Sequence, residues 1–480
     1  MAHPLRHPRR RPTETPARDL TAPRYPLILG GTRVETAEWE THHDPADGSP
    51  VAEVALATAA DADRAVRAAH AALDEWAALG PTGRGEALHR FATLFAEESD
   101  HVAELVHREM GKPLAEARLE VARAAEVIRH FAGEPERLTS TVLEGTSPST
   151  GSWVRPVPLG VVAAITPWNF PVALVVWKLA PALAAGCTVV VKPAIEAPLS
   201  PWAIVDIAQR AGLPPGTVNV VTGDGPLLGE ALCTHPLVAK VAFTGSRRVA
   251  ETIASWTAPR LKSLSLELGG HGPLIVLPDA DLDVAVDVAV TQGYVNAGQA
   301  CYSVNRVLVP PALHGDFLER FRARMASLTI GPMATERGLA RHRELLADAR
   351  AKGATVEGGE DRGGRFVAPA LVTGARPGVR VVEEEPFTPL VTVMEAETVE
   401  AAVAEANRPD FGLVGYVVGG DLRRALDVAH RVRCGSVVVN GWRVVVPYAP
   451  FSGWRGSGVG AELGRPGMEA FLHWQHLRVL

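Results

Sequence analysis

Cysteine is scarce in this sequence. The 480 residues include four, Cys187, Cys233, Cys301 and Cys434, and they lie far apart. Such spacing suggests neither a disulfide framework nor a CxxC metal or redox pair. We therefore expect a protein of the reducing cytoplasm without a bound metal.

The sequence also lacks a strong charge bias and a long uninterrupted apolar run. Its formal net charge of -6 gives no electrostatic footprint for nucleic acid. The most membrane-like run, residues 170–191, is broken by Lys178, Pro181 and Gly186. It is better interpreted as a buried helix followed by a buried strand, so neither a nucleic-acid nor a membrane partner is expected.

Residues 1–24 are basic and rich in proline and contain no apolar core of signal-peptide length. They are expected to form a disordered basic arm, since such charge blocks are usually solvated tails.

The pattern of residues 25–135 predicts short strands followed by amphipathic helices. These helices are expected to cover the body of the protein and to hold no functional site. Thr58 and Asp61 fit a capping box that begins one helix, and Gly111 fits the end of another. Residues 136–158 lack helical periodicity and predict a projecting pair of strands.

Residues 159–270 alternate buried strands, among them Leu159–Ile165 and Val241–Phe243, with helices. This alternation predicts a doubly wound parallel sheet with ligands at the carboxyl ends of its strands. Two glycine turns precede helices there, one at Gly223, Gly225 and Gly229 and one at Phe243-Thr-Gly-Ser246. Such turns suit a dinucleotide phosphate, although helix packing explains the first set about as well.

Cys301 is the candidate nucleophile. It ends the run Tyr294-Val-Asn-Ala-Gly-Gln-Ala-Cys301, whose small residues would let a ligand approach the sulfur. A buried structural cysteine remains the alternative from this run alone.

Seven motifs together resemble the aldehyde dehydrogenase superfamily from about residue 25 to the end. They are Thr166-Pro-Trp-Asn-Phe-Pro171, Val191-Lys-Pro193, Phe243-Thr-Gly-Ser246, Glu267-Leu-Gly-Gly270, Asn296-Ala-Gly-Gln-Ala-Cys301, Glu384-Glu-Pro-Phe387 and Pro450-Phe-Ser-Gly453. Their order and spacings are those of the family.

The resemblance implies that Cys301 attacks an aldehyde, that the Asn169 amide stabilises the resulting oxyanion, and that Glu267 activates water to hydrolyse the thioester. Lys178 and Glu462 match residues associated with proton relay. A structural alternative remains open for each of these partners. Asn169 could satisfy backbone groups in a turn, and Glu267 could be a surface carboxylate. Lys178 could extend to the surface, and Glu462 could be a solvated helix residue. His271 suggests a Cys–His hydrolase, but a structural histidine is the favoured interpretation.

For the cofactor, the resemblance implies NAD or NADP. It points to Lys192 at the adenine ribose, Gly245 and Ser246 at the pyrophosphate, and Glu385 with Phe387 at the nicotinamide ribose. The other residues predicted to bind the cofactor are Ile165, Thr166, Pro167, Trp168, Ile195, Gly225, Phe243 and Leu268. NAD-preferring relatives often carry a glutamate where Ile195 stands, so the prediction leans slightly toward NADP.

The expected architecture is α/β: a Rossmann-like cofactor domain, an α/β catalytic domain and a small β oligomerisation element. The predicted segments are 25–135 and 159–270 for the cofactor domain, 136–158 for the oligomerisation hairpin, 271–450 for the catalytic domain, and 451–480 for a C-terminal segment ending in an oligomerisation strand. A homodimer or homotetramer is expected.

The predicted reaction is NAD(P)-dependent oxidation of an aldehyde to a carboxylic acid. The alternatives are a succinate-semialdehyde-type enzyme, a CoA-acylating relative, which Glu267 argues against, and a non-catalytic nucleotide-binding homologue. Succinate-semialdehyde enzymes often place an arginine where Trp177 stands, so an uncharged aldehyde is favoured. Arg443 and Arg455 are the candidates for the missing charge.

Overall fold

The structure is a computed structural model that describes residues 23–145 and 151–479. The basic arm predicted for residues 1–24 lies outside these ranges except for its last two residues. Within them, no helix has both the length and the apolar character needed to cross a membrane.

An eight-stranded sheet forms the centre of the predicted cofactor domain. Its five central strands run parallel, and antiparallel strands close both edges. In spatial order the strands are Gly458–Val459, Ser263–Glu267, Val238–Thr244, Val161–Ile165, Thr188–Lys192, Val218–Val220, Leu27–Leu29 and Thr32–Val34. The central strands are largely apolar, as expected for a parallel sheet covered on both faces.

Helices cover both faces of this sheet. Thr58 and Asp61 form the predicted capping box, and Gly111 ends a helix in the left-handed conformation. The helices are Ala59–Ala71, Leu73–Ala78, Gly80–Glu97, Ser99–Met110, Leu114–Ala132, Ala173–Ala185, Leu199–Arg210, Gly225–Thr234 and Arg247–Thr257, with short 3-10 turns at Pro135–Arg137 and Ala258–Arg260.

A seven-stranded sheet forms the second α/β layer and is parallel except for its first strand. Its strands in spatial order are Thr355–Gly358, Ala370–Thr373, Leu390–Glu395, Val304–Val309, Gly272–Val276, Val414–Val418 and Ser436–Val439. The remaining helices are Leu282–Tyr294, Pro311–Ala326, Glu336–Ala351, Arg380–Glu383, Val399–Asn407, Leu422–Ala429 and Gly464–Glu469, with 3-10 turns at Val295–Gly298 and Arg455–Ser457.

Two three-stranded sheets complete the fold. One joins Arg24–Tyr25, Pro50–Ala55 and Trp39–His43. The other pairs the C-terminal strand Leu472–Val479 with Gly151–Pro158, which in turn pairs with Thr141–Glu144. The segment predicted as an oligomerisation hairpin is thus a strand pair, and its connection at residues 146–150 lies outside the described ranges. Its sheet exposes large apolar side chains, including Trp153 and Trp474.

Candidate active site

The loop before Cys301 has an unusual backbone. Asn296, Ala297 and Gly298 have φ angles of 50°, 54° and 70°, a left-handed run that only glycine adopts without strain. A side chain on Gly298 would collide with the carbonyl group of Thr388. The loop therefore holds Cys301, which is 9% exposed, at one defined place between the two large sheets.

Asn169 lies beside this loop. Its Nδ2 donates to the carbonyl oxygen of Gln299 at 3.0 Å, and the Asn296 amide donates to the Asn169 carbonyl oxygen at 2.9 Å. The side-chain amide is buried and held against the backbone that leads to Cys301. It is therefore available as a fixed hydrogen-bond donor for an oxygen that forms next to the sulfur.

Glu267 ends the strand Ser263–Glu267 and is 3% exposed. Apart from the Cys301 thiol, which is within hydrogen-bonding reach, neither carboxylate oxygen has a hydrogen-bond partner in residues 23–145 and 151–479. Burial raises the pKa of Glu267 to about 8, and the charge of Glu462 adds to the rise. Burial, followed by the carboxylates of Glu267 and Glu385, raises the pKa of the Cys301 thiol well above its usual range. Both groups are therefore mainly neutral at rest.

Lys178 and Glu462 form a buried ion pair next to this site. Lys178 Nζ donates to Glu462 Oε1 and to Thr244 Oγ1, each at 2.6 Å. Glu462 raises the pKa of Glu267 and Lys178 lowers it, so all three charges act on one another. The predicted relay residues are therefore buried and close enough for their charges to act on the predicted base.

The adenine end of the predicted cofactor site contains a buried lysine. Lys192 Nζ donates to the Pro193 carbonyl oxygen at 2.9 Å, and burial lowers its pKa to about 8. Ile195 is half-buried on the following turn. The charge of Glu196, which the sequence prediction did not consider, opposes the fall in the lysine pKa.

The two glycine turns differ in how their helices begin. Ser246 precedes Arg247–Thr257 and makes no side-chain cap, and Gly245 packs against the Phe243 ring, which leaves no room for a side chain. At the other turn, Asp224 caps the helix that begins with Gly225 by accepting from Leu227 N at 2.7 Å. The first terminus is thus the better fit for a pyrophosphate, because a carboxylate already occupies the second.

At the nicotinamide end, Glu385 Oε1 accepts from the Gly270 amide at 2.9 Å. Phe387, with φ of 54°, places its ring edge-on to Trp168 at 5.8 Å. The Thr166 hydroxyl is buried without a partner in the described part of the chain. Ile165 and Pro167 flank Thr166, and Leu268 follows Glu267 and is buried.

These features fit a dinucleotide. An unpartnered hydroxyl, a bare helix terminus and a buried lysine lie at the carboxyl ends of adjacent parallel strands, which is where such folds bind nucleotides.

The sequence prediction treated the helical cover as free of functional residues, and the structure shows that it supports the site. Lys112 Nζ donates to the Asn169 carbonyl oxygen at 3.0 Å and pairs with Glu120. Glu120 accepts from the Val172 and Ala173 amides at 3.0 Å, and Glu116 accepts from Asn296 N at 2.9 Å. One helix, Leu114–Ala132, therefore anchors both the Asn169 and the Cys301 loops.

Three side chains weighed from the sequence lie elsewhere. His271 Nε2 lies 3.1 Å from the Val382 carbonyl oxygen and Nδ1 lies 3.4 Å from Asn305, so both ring nitrogens are engaged away from Cys301. Arg455 donates to the backbone carbonyls of Asn407 and Phe411. Arg443 instead lines a cavity that borders the site.

Known proteins resemble this chain along most of its length. The model of the aldehyde dehydrogenase family matches residues 34–477. A probable NADP(+) succinate-semialdehyde dehydrogenase of Sinorhizobium fredii is 38% identical over 91% of this chain and 92% of its own. A 3-sulfolactaldehyde dehydrogenase of Pseudomonas putida is 38% identical over 90% of this chain and 92% of its own. The crystal structure of an E. coli NADP-dependent enzyme superimposes with a TM-score of 0.93 at 37% identity, covering 95% of this chain and 98% of the other.

Proposed function

Because this chain belongs to the aldehyde dehydrogenase family, whose chemistry is the NAD(P)-dependent oxidation of aldehydes, we propose that Cys301, Asn169 and Glu267 carry out that oxidation here. The observation that carries the proposal is the convergence of these three side chains at one buried place: Asn169 is hydrogen-bonded to the loop of Cys301, and Glu267 and Cys301 shift each other's pKa.

In the first half of the reaction, Cys301 Sγ bonds to the aldehyde carbon. The thiol is neutral at rest, so its proton must leave as the bond forms. The ionised fraction of Glu267 accepts this proton and passes it toward Glu462, which leaves Glu267 ionised for the second half. The Asn169 amide and the Cys301 backbone N–H donate to the oxygen that becomes negative. Bound nicotinamide supplies the two-electron oxidant that converts this adduct to a Cys301 thioester.

In the second half, Glu267 removes a proton from water as the water attacks the thioester carbon. The Cys301 sulfur leaves and the carboxylic acid forms. Glu267 then releases this proton toward the ion pair of Glu462 and Lys178, whose charges act on the Glu267 carboxylate. Lys192, Thr166 and the Ser246 helix terminus would hold the dinucleotide, and Glu385 and Phe387 would orient its nicotinamide half.

We propose NADP as the preferred cofactor. Ile195 places an apolar side chain near Lys192, so this position offers neither a hydrogen-bond acceptor for the ribose nor a charge that repels a 2′-phosphate. The nearby Arg248 has no acidic partner within 4 Å in the described residues, although Arg247 is paired with Glu251 and Asp410. NADP is also named for the S. fredii relative and for the E. coli structure.

We further propose a cytoplasmic homo-oligomer, a dimer or a tetramer, that assembles through the sheet of Leu472–Val479. The support is the set of exposed apolar side chains on that sheet: Trp153 and Leu477, which are paired on one face, and Trp474 on the other.

The test is nicotinamide reduction at about 340 nm with the full-length protein and a panel of aldehydes, with NAD and NADP in parallel. Cys301→Ala should abolish turnover. Cys434→Ala removes another buried cysteine as a matched control and should keep it. Undiminished turnover in Cys301→Ala would contradict the proposed mechanism.

A further inference from the structure

A cavity of about 280 Å³ borders the proposed active site. Tyr302, which directly follows Cys301, lines it, and Tyr302 packs against Phe170 with ring centroids 5.6 Å apart. Phe170 directly follows Asn169. The cavity thus reaches the residue that follows the proposed nucleophile, and that residue packs against the one that follows the proposed oxyanion donor.

Positive charge dominates the lining of this cavity. Arg123, Arg324 and Arg443 line it, against the single carboxylate of Glu116. That carboxylate is already engaged by the Asn296 amide at 2.9 Å, and burial raises its pKa. The rest of the lining is mainly apolar, so the arginines are the groups that would favour an anionic aldehyde over a neutral one.

Of the three arginines that line this cavity, Arg123 differs in having no counter-ion among the described residues. Arg443 pairs with Glu126 at 3.4 Å and Arg324 pairs with Asp287 at 3.8 Å. Arg123 has no acidic group within 4 Å in residues 23–145 and 151–479. It is half-buried, and its guanidinium carbon lies 6.0 Å from the centroid of the Trp442 ring, which faces the same cavity. A half-buried guanidinium held against an aromatic ring is prepared to bind an anion bidentately.

We propose that Arg123, with Arg443 in the same cavity lining, binds a carboxylate or sulfonate at the far end of the aldehyde substrate. This inference rests on the proposed function and names its substrate class. It reverses the expectation of an uncharged aldehyde, which was drawn from Trp177. Trp177 does pack against an aromatic ring, that of Phe451 at 5.3 Å, and brings no charge. Arg123 supplies the charge from a different helix.

The experiment compares two aldehydes of similar length, succinate semialdehyde and pentanal, in the wild type and in Arg123→Met. For succinate semialdehyde, kcat/KM should fall tenfold or more, mainly through a higher KM, about the effect expected for losing one charged hydrogen-bonding partner. The value for pentanal should stay within about twofold. Arg123→Lys, which keeps the charge and loses the bidentate geometry, should fall between these two.

Arg118→Met is the matched control, because Arg118 lies on the same helix and pairs with Asp100 on the surface. This variant should leave kcat/KM unchanged for both substrates. In the wild type, glutarate should compete with succinate semialdehyde at least tenfold better than pentanamide does, and this readout needs no variant.

An equal loss for both aldehydes in Arg123→Met, a wild-type preference for pentanal, or equal inhibition by glutarate and pentanamide would overturn the inference while leaving aldehyde oxidation in place. Failure of the proposed function gives a different result, since no aldehyde would then reduce the nicotinamide.

Discussion

Replacing Glu267 with glutamine separates the two halves of the proposed reaction. If Glu267 is needed to activate water, the variant should form the thioester once and then stall. Reduced cofactor should appear in a burst that approaches one equivalent per active site, followed by a much slower steady rate.

The size of the effect follows from the isolation of this carboxylate. Positioned general bases contribute about 10²–10⁴ in rate, and no second base is hydrogen-bonded to Glu267 in the described residues. Steady turnover should therefore fall by about 10²–10⁴. The fold should survive, because glutamine has the same shape and its amide oxygen can still accept from the Cys301 thiol, so Tm should move by less than about 3 °C.

The pH dependence of the steady rate gives a second test of the role of Glu267. A pKa of about 8 leaves most of Glu267 protonated at neutral pH, and only its ionised form accepts a proton from water. If hydrolysis limits turnover, the wild-type steady rate should rise about tenfold between pH 7 and pH 9 and then level off. Stopped-flow absorbance at about 340 nm measures both burst and steady rate. A glutamine variant with the wild-type steady rate and pH profile would assign hydrolysis to another group.

Two further predictions concern the cofactor and the assembly. Ile195→Glu should shift the ratio of kcat/KM for NAD over NADP toward NAD by about tenfold, because a carboxylate there accepts from the ribose hydroxyls and repels a 2′-phosphate; an unchanged ratio would mean that residue 195 does not contact the ribose. Trp474→Glu should reduce the mass measured by light scattering to that of a monomer, because it puts a charge on the exposed face of the C-terminal strand. A wild-type monomer would already refute the assembly proposal.

Much of the fold could be predicted from local sequence patterns. The capping box at Thr58 and the left-handed helix end at Gly111 lie where their residue types predicted. The buried strands were also found, with shifted ends: the strand predicted at Leu159–Ile165 begins at Val161, and that predicted at Val241–Phe243 extends over Val238–Thr244. Strand ends depend on partners far away in the chain, which a local pattern does not contain.

The supporting residues of the site were the part that the sequence did not reveal. Lys112 lies between two covering helices, Glu116 and Glu120 lie on the second of them, and each bonds to a loop far away in the chain. The signal that could have found them is the placement of Glu120 beside Val121, within the buried stripe of that helix. Arg123 gave no such signal, because its position in a cavity arises only when residues 290–302 and 442–445 fold against it.

The helix Leu114–Ala132 carries both a residue that supports the Asn169 segment and a residue that lines the neighbouring cavity. Glu120 holds the Asn169 segment, and Arg123, three residues later, faces the neighbouring cavity. Successive residues of a helix advance by about 1.5 Å, so these two anchors are separated along the axis by about 4.5 Å. If Arg123 binds the far end of the aldehyde as proposed, the backbone repeat of this helix contributes to the distance between the two ends of the site, and moving the arginine by one turn would favour a substrate of different length.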